Sequence, residues 1–130
     1  MSKKTIAGEG EAKRLSLYVS GPMSGIPHFN YPLFTDATAA LRAHGFDVVS
    51  PHELDIEAGV DLTEEFTADD RRAALRRDVT AVTEADGIAV LTGWHHSTGA
   101  RAEVALANAI PIPIFTVDEW LADAHKELLP

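Results

Sequence analysis

The run Ile88-Ala89-Val90-Leu91 constrains this chain most. Four apolar residues in succession, inside the segment Asp86 to Thr92, do not alternate as a strand with one wet face would. They suit a strand covered on both faces, as in a parallel sheet. Parallel strands need crossover connections, and the neighbouring segments supply them. Leu15 to Ser20 alternates Leu15, Leu17 and Val19 with Ser16, Tyr18 and Ser20, the period of a strand, and stops at the breaker pair Gly21-Pro22. Asn30 and Pro32 read as an N-cap region with Pro in the first turn. Phe34, Ala37 and Leu41 then follow at helical spacing up to a stop at Gly45. Phe46 to Ser50 is a second short strand, closed by Pro51. Residues 51–66 read as a loop with room for a short helix, and their carboxylates Glu53, Asp55, Glu57 and Asp61 as a solvated face. Thr67 with Asp70 predicts the cap of a helix running to about Ala85, with Leu75, Val79 and Val82 as its buried stripe. Ser97 to Ile110 is an alanine-rich helix, Ile112 to Val117 a fourth strand, and Asp118 to Leu129 a closing amphipathic helix.

The order β-α-β-α-β-α-β-α predicts an α/β chain, a Rossmann-like or flavodoxin-like three-layer sandwich. Its mostly parallel sheet would have four or five strands. Ligands of such sheets bind beyond the carboxyl ends of the strands where the strand order reverses, which directs attention to the loops after the first and third strands. At 130 residues, one domain over residues 15–130 is expected, preceded by a mobile arm over residues 1–14.

Composition narrows the partners. Lys and Arg number 11 against 20 Asp and Glu, a formal charge of −9. Such a chain repels a phosphate backbone, so nucleic acid is not expected as a partner. A single phosphate remains possible, since backbone N–H groups can hold one. The absence of cysteine excludes disulfides, thiolate metal sites and Cys nucleophiles. No apolar run reaches the roughly 20 residues of a membrane helix, and the opening MSKKTIAGEGEAKR lacks the apolar core of a signal peptide. No membrane association and a cytoplasmic location are expected.

Three residues stand out chemically. Glu103 shares a helical face with Gly99, Leu106, Ala107 and Ile110, which should pack inward. A carboxylate there needs donors or a function, unless it sits at the helix edge and reaches solvent. Asp78 lies beside the buried stripe of its helix, with a surface ion pair to Arg71 or Arg77 as the alternative. Tyr18 is a strand residue that core packing alone would explain. The loop Gly21-Pro22-Met23-Ser24-Gly25 could turn backbone N–H groups toward an anion or be a plain turn, and it matches neither a Walker loop nor G-x-G-x-x-G. Ser97 or Thr98 can cap the alanine-rich helix, and Gly99 permits close approach of a ligand to its first turn. The side chains of His95 and His96 should diverge, without metal-ligand spacing, so no metal and no cofactor are expected.

Tyr18 to Gly25 with Asn30, then Asp78, Asp86 and Ser97-x-Gly99-x-x-x-Glu103, resembles the nucleoside 2-deoxyribosyltransferase superfamily, in particular its DUF4406 branch. The resemblance spans about residues 15–117 and implies a retaining attack on an N-glycosidic bond. It makes Glu103 the nucleophile, Tyr18 the residue that orients it, and Asp78 the partner of the leaving base. Gly21, Pro22, Met23, Ser24, Gly25, Asn30, Ser97 and Gly99 would bind substrate. Serine at position 97 resembles the deoxynucleoside 5′-monophosphate N-hydrolases, whereas the transferases carry aspartate there. Pro22 and Met23 depart from the small polar residues of the hydrolase phosphate loop, and residues 51–66 match nothing in the family pattern. The implied partner is a small-molecule nucleoside or nucleotide. Burial should raise the Glu103 pKa, with Tyr18 and the helix N-terminus opposing the rise. Two other readings stay open: a non-catalytic nucleotide-binding or sensor domain, and a lysine-decarboxylase-like phosphoribohydrolase whose P-G-G-x-G-T-x-x-E motif is echoed without its double glycine. The small residues all round the alanine-rich helix predict a homodimer, or a multiple of one, unless that helix is simply buried between the sheet and the C-terminal helix. The resemblance implies a neighbouring subunit that closes each pocket.

Overall fold

The computed structural model describes residues 14–128. The expected N-terminal arm therefore lies outside the described residues except for Arg14, which donates to Asp47 Oδ1 at 2.9 Å. The strands β1 (Ser16–Ser20), β2 (Asp47–Val49), β3 (Gly87–Val90) and β4 (Ile114–Thr116) form one sheet in the order β2-β1-β3-β4, every pairing parallel. This is the expected α/β architecture, with the strand order of flavodoxin-like sheets.

Alternation along β1 sorts the two faces. Leu17 and Val19 join Ala89 and Leu91 against Phe34, Ala37 and Leu41 of helix α1 (Tyr31–Ala43) and Trp120 of helix α5 (Val117–Leu121). Tyr18 joins Ile88 and Val90 against Val82 of helix α3 (Ala68–Glu84) and Val104 and Ala107 of helix α4 (Thr98–Ala109). Helix α2 (Pro51–Glu57) follows β2 directly and touches both α1 and α3. It is the short helix for which residues 51–66 have room, and it fills the first part of that stretch.

The helix ends follow local chemistry. Helix α1 begins with Pro32 in its first turn and stops at Gly45, whose φ of +108° only glycine adopts freely. Thr67 and Asp70 form a reciprocal capping box on α3, Asp70 N to Thr67 Oγ1 at 3.1 Å and Thr67 N to Asp70 Oδ2 at 2.9 Å. Ser97 caps α4 by accepting from Ala100 N at 3.2 Å.

Two expectations are corrected. Leu75 is not part of a buried stripe: it is 38% exposed, while Asp78 and Val82 are the buried residues of α3. Leu75 lies one turn nearer the helix start than Asp78, at the mouth of a cleft rather than over the sheet. The closing helix is also shorter than predicted. It gives way after Leu121 to a turn and a 3-10 segment at Ala124–Leu128. Trp120 is pinned by its Nε1, which donates to Ile88 O at 2.7 Å, and Asp123 takes a left-handed φ of 59°. A non-glycine residue in that conformation ends a right-handed helix.

Candidate active site

The alternation that buries Leu17 and Val19 on one face carries Tyr18 and Ser20 to the other, beneath α4. There they meet Glu103, which is 5% exposed. The Tyr18 hydroxyl donates to Glu103 Oε2 at 3.0 Å and the Ser20 hydroxyl to Oε1 at 2.6 Å. Both donors are themselves fully buried. The carboxylate is thus fixed in position by the sheet rather than free to reach solvent at a helix edge. Asp78 comes in from α3, also buried, and its Oδ1 has no hydrogen-bond partner. An orphaned buried carboxyl oxygen costs free energy that the fold does not recover, which makes it a candidate for contact with substrate.

Glu103 and Asp78 line one cleft of about 120 Å³ beyond the carboxyl ends of β1 and β3. Gly21, Met23 and Ser24 line it from the loop after β1, and Ser97 and Gly99 from the start of α4. Arg71 and Leu75 of α3, Asp55 and Pro51 of α2, and the rings of Phe29 and Phe66 complete the wall. Gly21 is required by close approach: a Cβ there would stand 2.7 Å from Leu91 Cβ. A Cβ on Gly99 would have no atom within 4 Å, so the first turn of α4 is open to a ligand.

Pro22, Gly25 and Asn30 are not among the lining residues. Asn30 braces the loop instead, its Nδ2 donating to Pro22 O at 2.9 Å. It ends a run of three left-handed residues, His28, Phe29 and Asn30, with φ of 56°, 52° and 61°. Such a run is strained for residues with a Cβ, and it places Phe29 in the cleft wall.

The family model described as "Domain of unknown function (DUF4406)" matches residues 15–116. The chain belongs to this family. Among solved structures, a 2-deoxyribosyltransferase from the psychrotolerant bacterium Bacillus psychrosaccharolyticus shares its fold. The TM-score is 0.58 at 20% identity, over 76% of this chain and 69% of that one. No curated protein sequence matches the chain. The family model bears out the DUF4406 resemblance, and the solved structure bears out the expected fold.

The electrostatics of this DUF4406 cleft follow from burial. Desolvation raises the Glu103 carboxyl from 4.5 to about 7, against the opposing pull of the Ser20 and Tyr18 hydrogen bonds. Sequence reading expected the helix N-terminus to help lower it, but Glu103 stands in the second turn of α4, beyond the reach of that partial charge. Asp78 is raised from 3.8 to about 8, first by desolvation, then by the charges of Glu103 and Asp55, with Arg77 opposing. Tyr18 is pushed well above its ordinary value by burial and by Glu103, so it stays a donor. Asp78 is raised further than Glu103, so of the two carboxyls it is Asp78 that holds its proton to higher pH. Two carboxyl groups of unequal proton affinity in one cleft are able to take different roles in acid–base chemistry.

Several site residues of this DUF4406 chain escaped sequence reading. Ser20 follows from the alternation that marked Tyr18, since residues two apart on a strand share a face. Asp55 was assigned to a solvated face; it is 6% exposed, with Oδ1 held by Arg77 Nη2 at 3.2 Å and Oδ2 by the Tyr31 hydroxyl at 3.3 Å. Its turn of α2 packs inward between α1 and α3, a tertiary fact without a local signal. Arg77 therefore pairs with Asp55 and not with Asp78, and Arg71 lies over the Phe66 ring at 5.7 Å. The His95 and His96 rings do not diverge; their centroids are 4.4 Å apart. Among the described residues no three His, Cys, Asp or Glu side chains are grouped to hold a metal, and no helix is long and apolar enough to cross a membrane.

Proposed function

We propose that this protein is an N-glycosidase that cleaves the base from a nucleoside or 2′-deoxynucleoside 5′-monophosphate. The observation that carries the reading is Glu103: a buried carboxylate on the cleft wall, both oxygens held by hydroxyls, with the buried Asp78, whose Oδ1 lacks a partner, lining the same cleft. Glu103 Oε attacks C1′ as the C1′–N bond breaks, and the Asp78 proton passes to the departing base nitrogen. A glycosyl ester on Glu103 results. Water then attacks C1′, the ester bond breaks to return the Glu103 carboxylate, and the water proton goes to Asp78. The products are free base and sugar 5-phosphate, and the two successive inversions at C1′ give net retention of configuration. The oxocarbenium-like transition state is stabilised by the Glu103 charge, and the buried Tyr18 and Ser20 hydroxyls keep that charge pointed at one place.

Ser97 and Gly99 at the start of α4 form the end that suits a phosphate. Phe29 and Phe66, 5.9 Å apart edge to face, form an apolar end that suits a base. Ala102, Ala105 and Ala109 are exposed on α4, a flat strip on which a second copy would pack to close the cleft.

The test is release of free base from a panel of nucleoside and 2′-deoxynucleoside 5′-monophosphates and their unphosphorylated nucleosides, with and without a second free base. Release in water that disappears in Glu103→Gln supports the hydrolase. Turnover only with a second base assigns a transferase, and binding of nucleotide without release assigns a sensor domain.

A further inference from the structure

The cleft holds a third buried carboxylate, Asp55, to which the glycosidase chemistry gives no task. It lies on α2 and is clamped from two sides by Arg77 and Tyr31. Arg77 directly precedes Asp78 on α3, and neighbouring residues on a helix diverge, so the two side chains do not pair. Even so, Arg77 is the cation whose charge bears on Asp78.

We propose that Asp55 is a positioning residue for the reaction: by pairing with Arg77 it cancels the cation that bears on Asp78 and so keeps Asp78 in its proton-donating form. Its catalytic meaning rests on reading Asp78 as the acid; its effect on the Asp78 proton does not.

The groups facing Asp78 make the balance explicit. Glu103 faces it from α4, Asp55 from α2, Tyr18 from β1, Tyr31 from α1, and Arg77 and Arg71 belong to α3 itself. Burial and the surrounding carboxylates push both tyrosine hydroxyls up, so neither carries charge at neutral pH. Arg71 is engaged with Phe66 and with Ser24 Oγ at 3.4 Å. Once Asp55 and Arg77 cancel, burial and then the charge of Glu103 hold the proton on Asp78. Asp55 without its charge would leave Arg77 uncancelled, and the Asp78 anion would be stabilised.

The experiment is a carboxyl-carbon NMR titration of the full chain, with the Asp78 signal assigned by its loss in Asp78→Asn. In Asp55→Asn, an isosteric change that removes the charge, keeps one acceptor oxygen and sets an amide against the other partner, the Asp78 midpoint should fall by about one pH unit from its value near 8. Asp55→Ser, which also removes the charge, should give the same fall if the amide variant misfolds. The double variant Asp55→Asn with Arg77→Gln removes both charges and should restore the midpoint. Where the wild type releases base, the high-pH limb of its rate profile should move down with the midpoint. An unmoved midpoint in either single variant, or a fall that persists in the double variant, overturns the proposal. A fall without base release from any nucleotide upholds the proton balance and refutes the glycosidase reading; base release with an unmoved midpoint does the reverse.

Discussion

Replacing Glu103 by Gln should make the folded protein more stable at pH 8, although it removes the group on which the proposed chemistry depends. The fold raises the Glu103 carboxyl from 4.5 to about 7, so the native state favours the neutral acid. The stability this group contributes is whole below about pH 4.5, is lost as the pH climbs toward 7, and stays lost above it. The loss amounts to roughly 3 kcal/mol, at about 1.4 kcal/mol for each pH unit between the two values. Gln has no charge to bury. It keeps an acceptor for one of the two hydroxyls and sets an amide against the other, which forfeits one hydrogen bond worth about 1 kcal/mol. The variant should therefore gain about 2 kcal/mol at pH 8 and lie near parity at about pH 5.5. Urea denaturation of both proteins across that range measures the difference directly. A Gln variant less stable than the wild type by the same amount at every pH would show a satisfied structural carboxylate, and the reasoning would fail.

Asp78→Asn should lower kcat at least about 100-fold while leaving KM within a few-fold, because the proton is needed only as the base departs. An effect on KM alone assigns Asp78 to substrate binding. Ser97→Asp should reverse a preference for 5′-monophosphates over nucleosides through like-charge repulsion, read from kcat/KM on the two substrates; an unchanged preference removes Ser97 from phosphate recognition. Ser20→Ala removes the shorter of the two hydrogen bonds that hold Glu103 down, so the low-pH limb of the rate profile should move up from about 7. Light scattering should give twice 14.0 kDa or a multiple of it; an active particle of 14.0 kDa refutes the closing subunit.

Much of the architecture is legible because it is local or periodic. The unbroken run Ile88 to Leu91 specifies a strand covered on both faces, and Thr67 with Asp70 announces α3 through a cap made by neighbours in sequence. Glu103 is legible because helical periodicity sets a carboxylate on a face that must pack inward. Asp55 is not, because its burial depends on α2 folding back between α1 and α3, and nothing in the run of acids at 53–61 distinguishes one from another. Leu75 misleads for the opposite reason: helical spacing says which residues share a stripe, not where the sheet beneath the stripe ends. The C-terminal segment has an amphipathic pattern, yet the Trp120 anchor and the left-handed Asp123 decide its length.

The central claim is that Glu103 takes the sugar covalently, and intact-mass and peptide mass spectrometry of protein quenched during turnover tests it most directly. With a nucleotide that releases base, the account predicts one 5-phosphoglycosyl unit on the peptide carrying Glu103, absent in Glu103→Gln. Accumulation of the adduct should be greater at pH 8 than at pH 6, because the nucleophile must be ionised. Sustained base release by Glu103→Gln, or an adduct on any other residue, would contradict it.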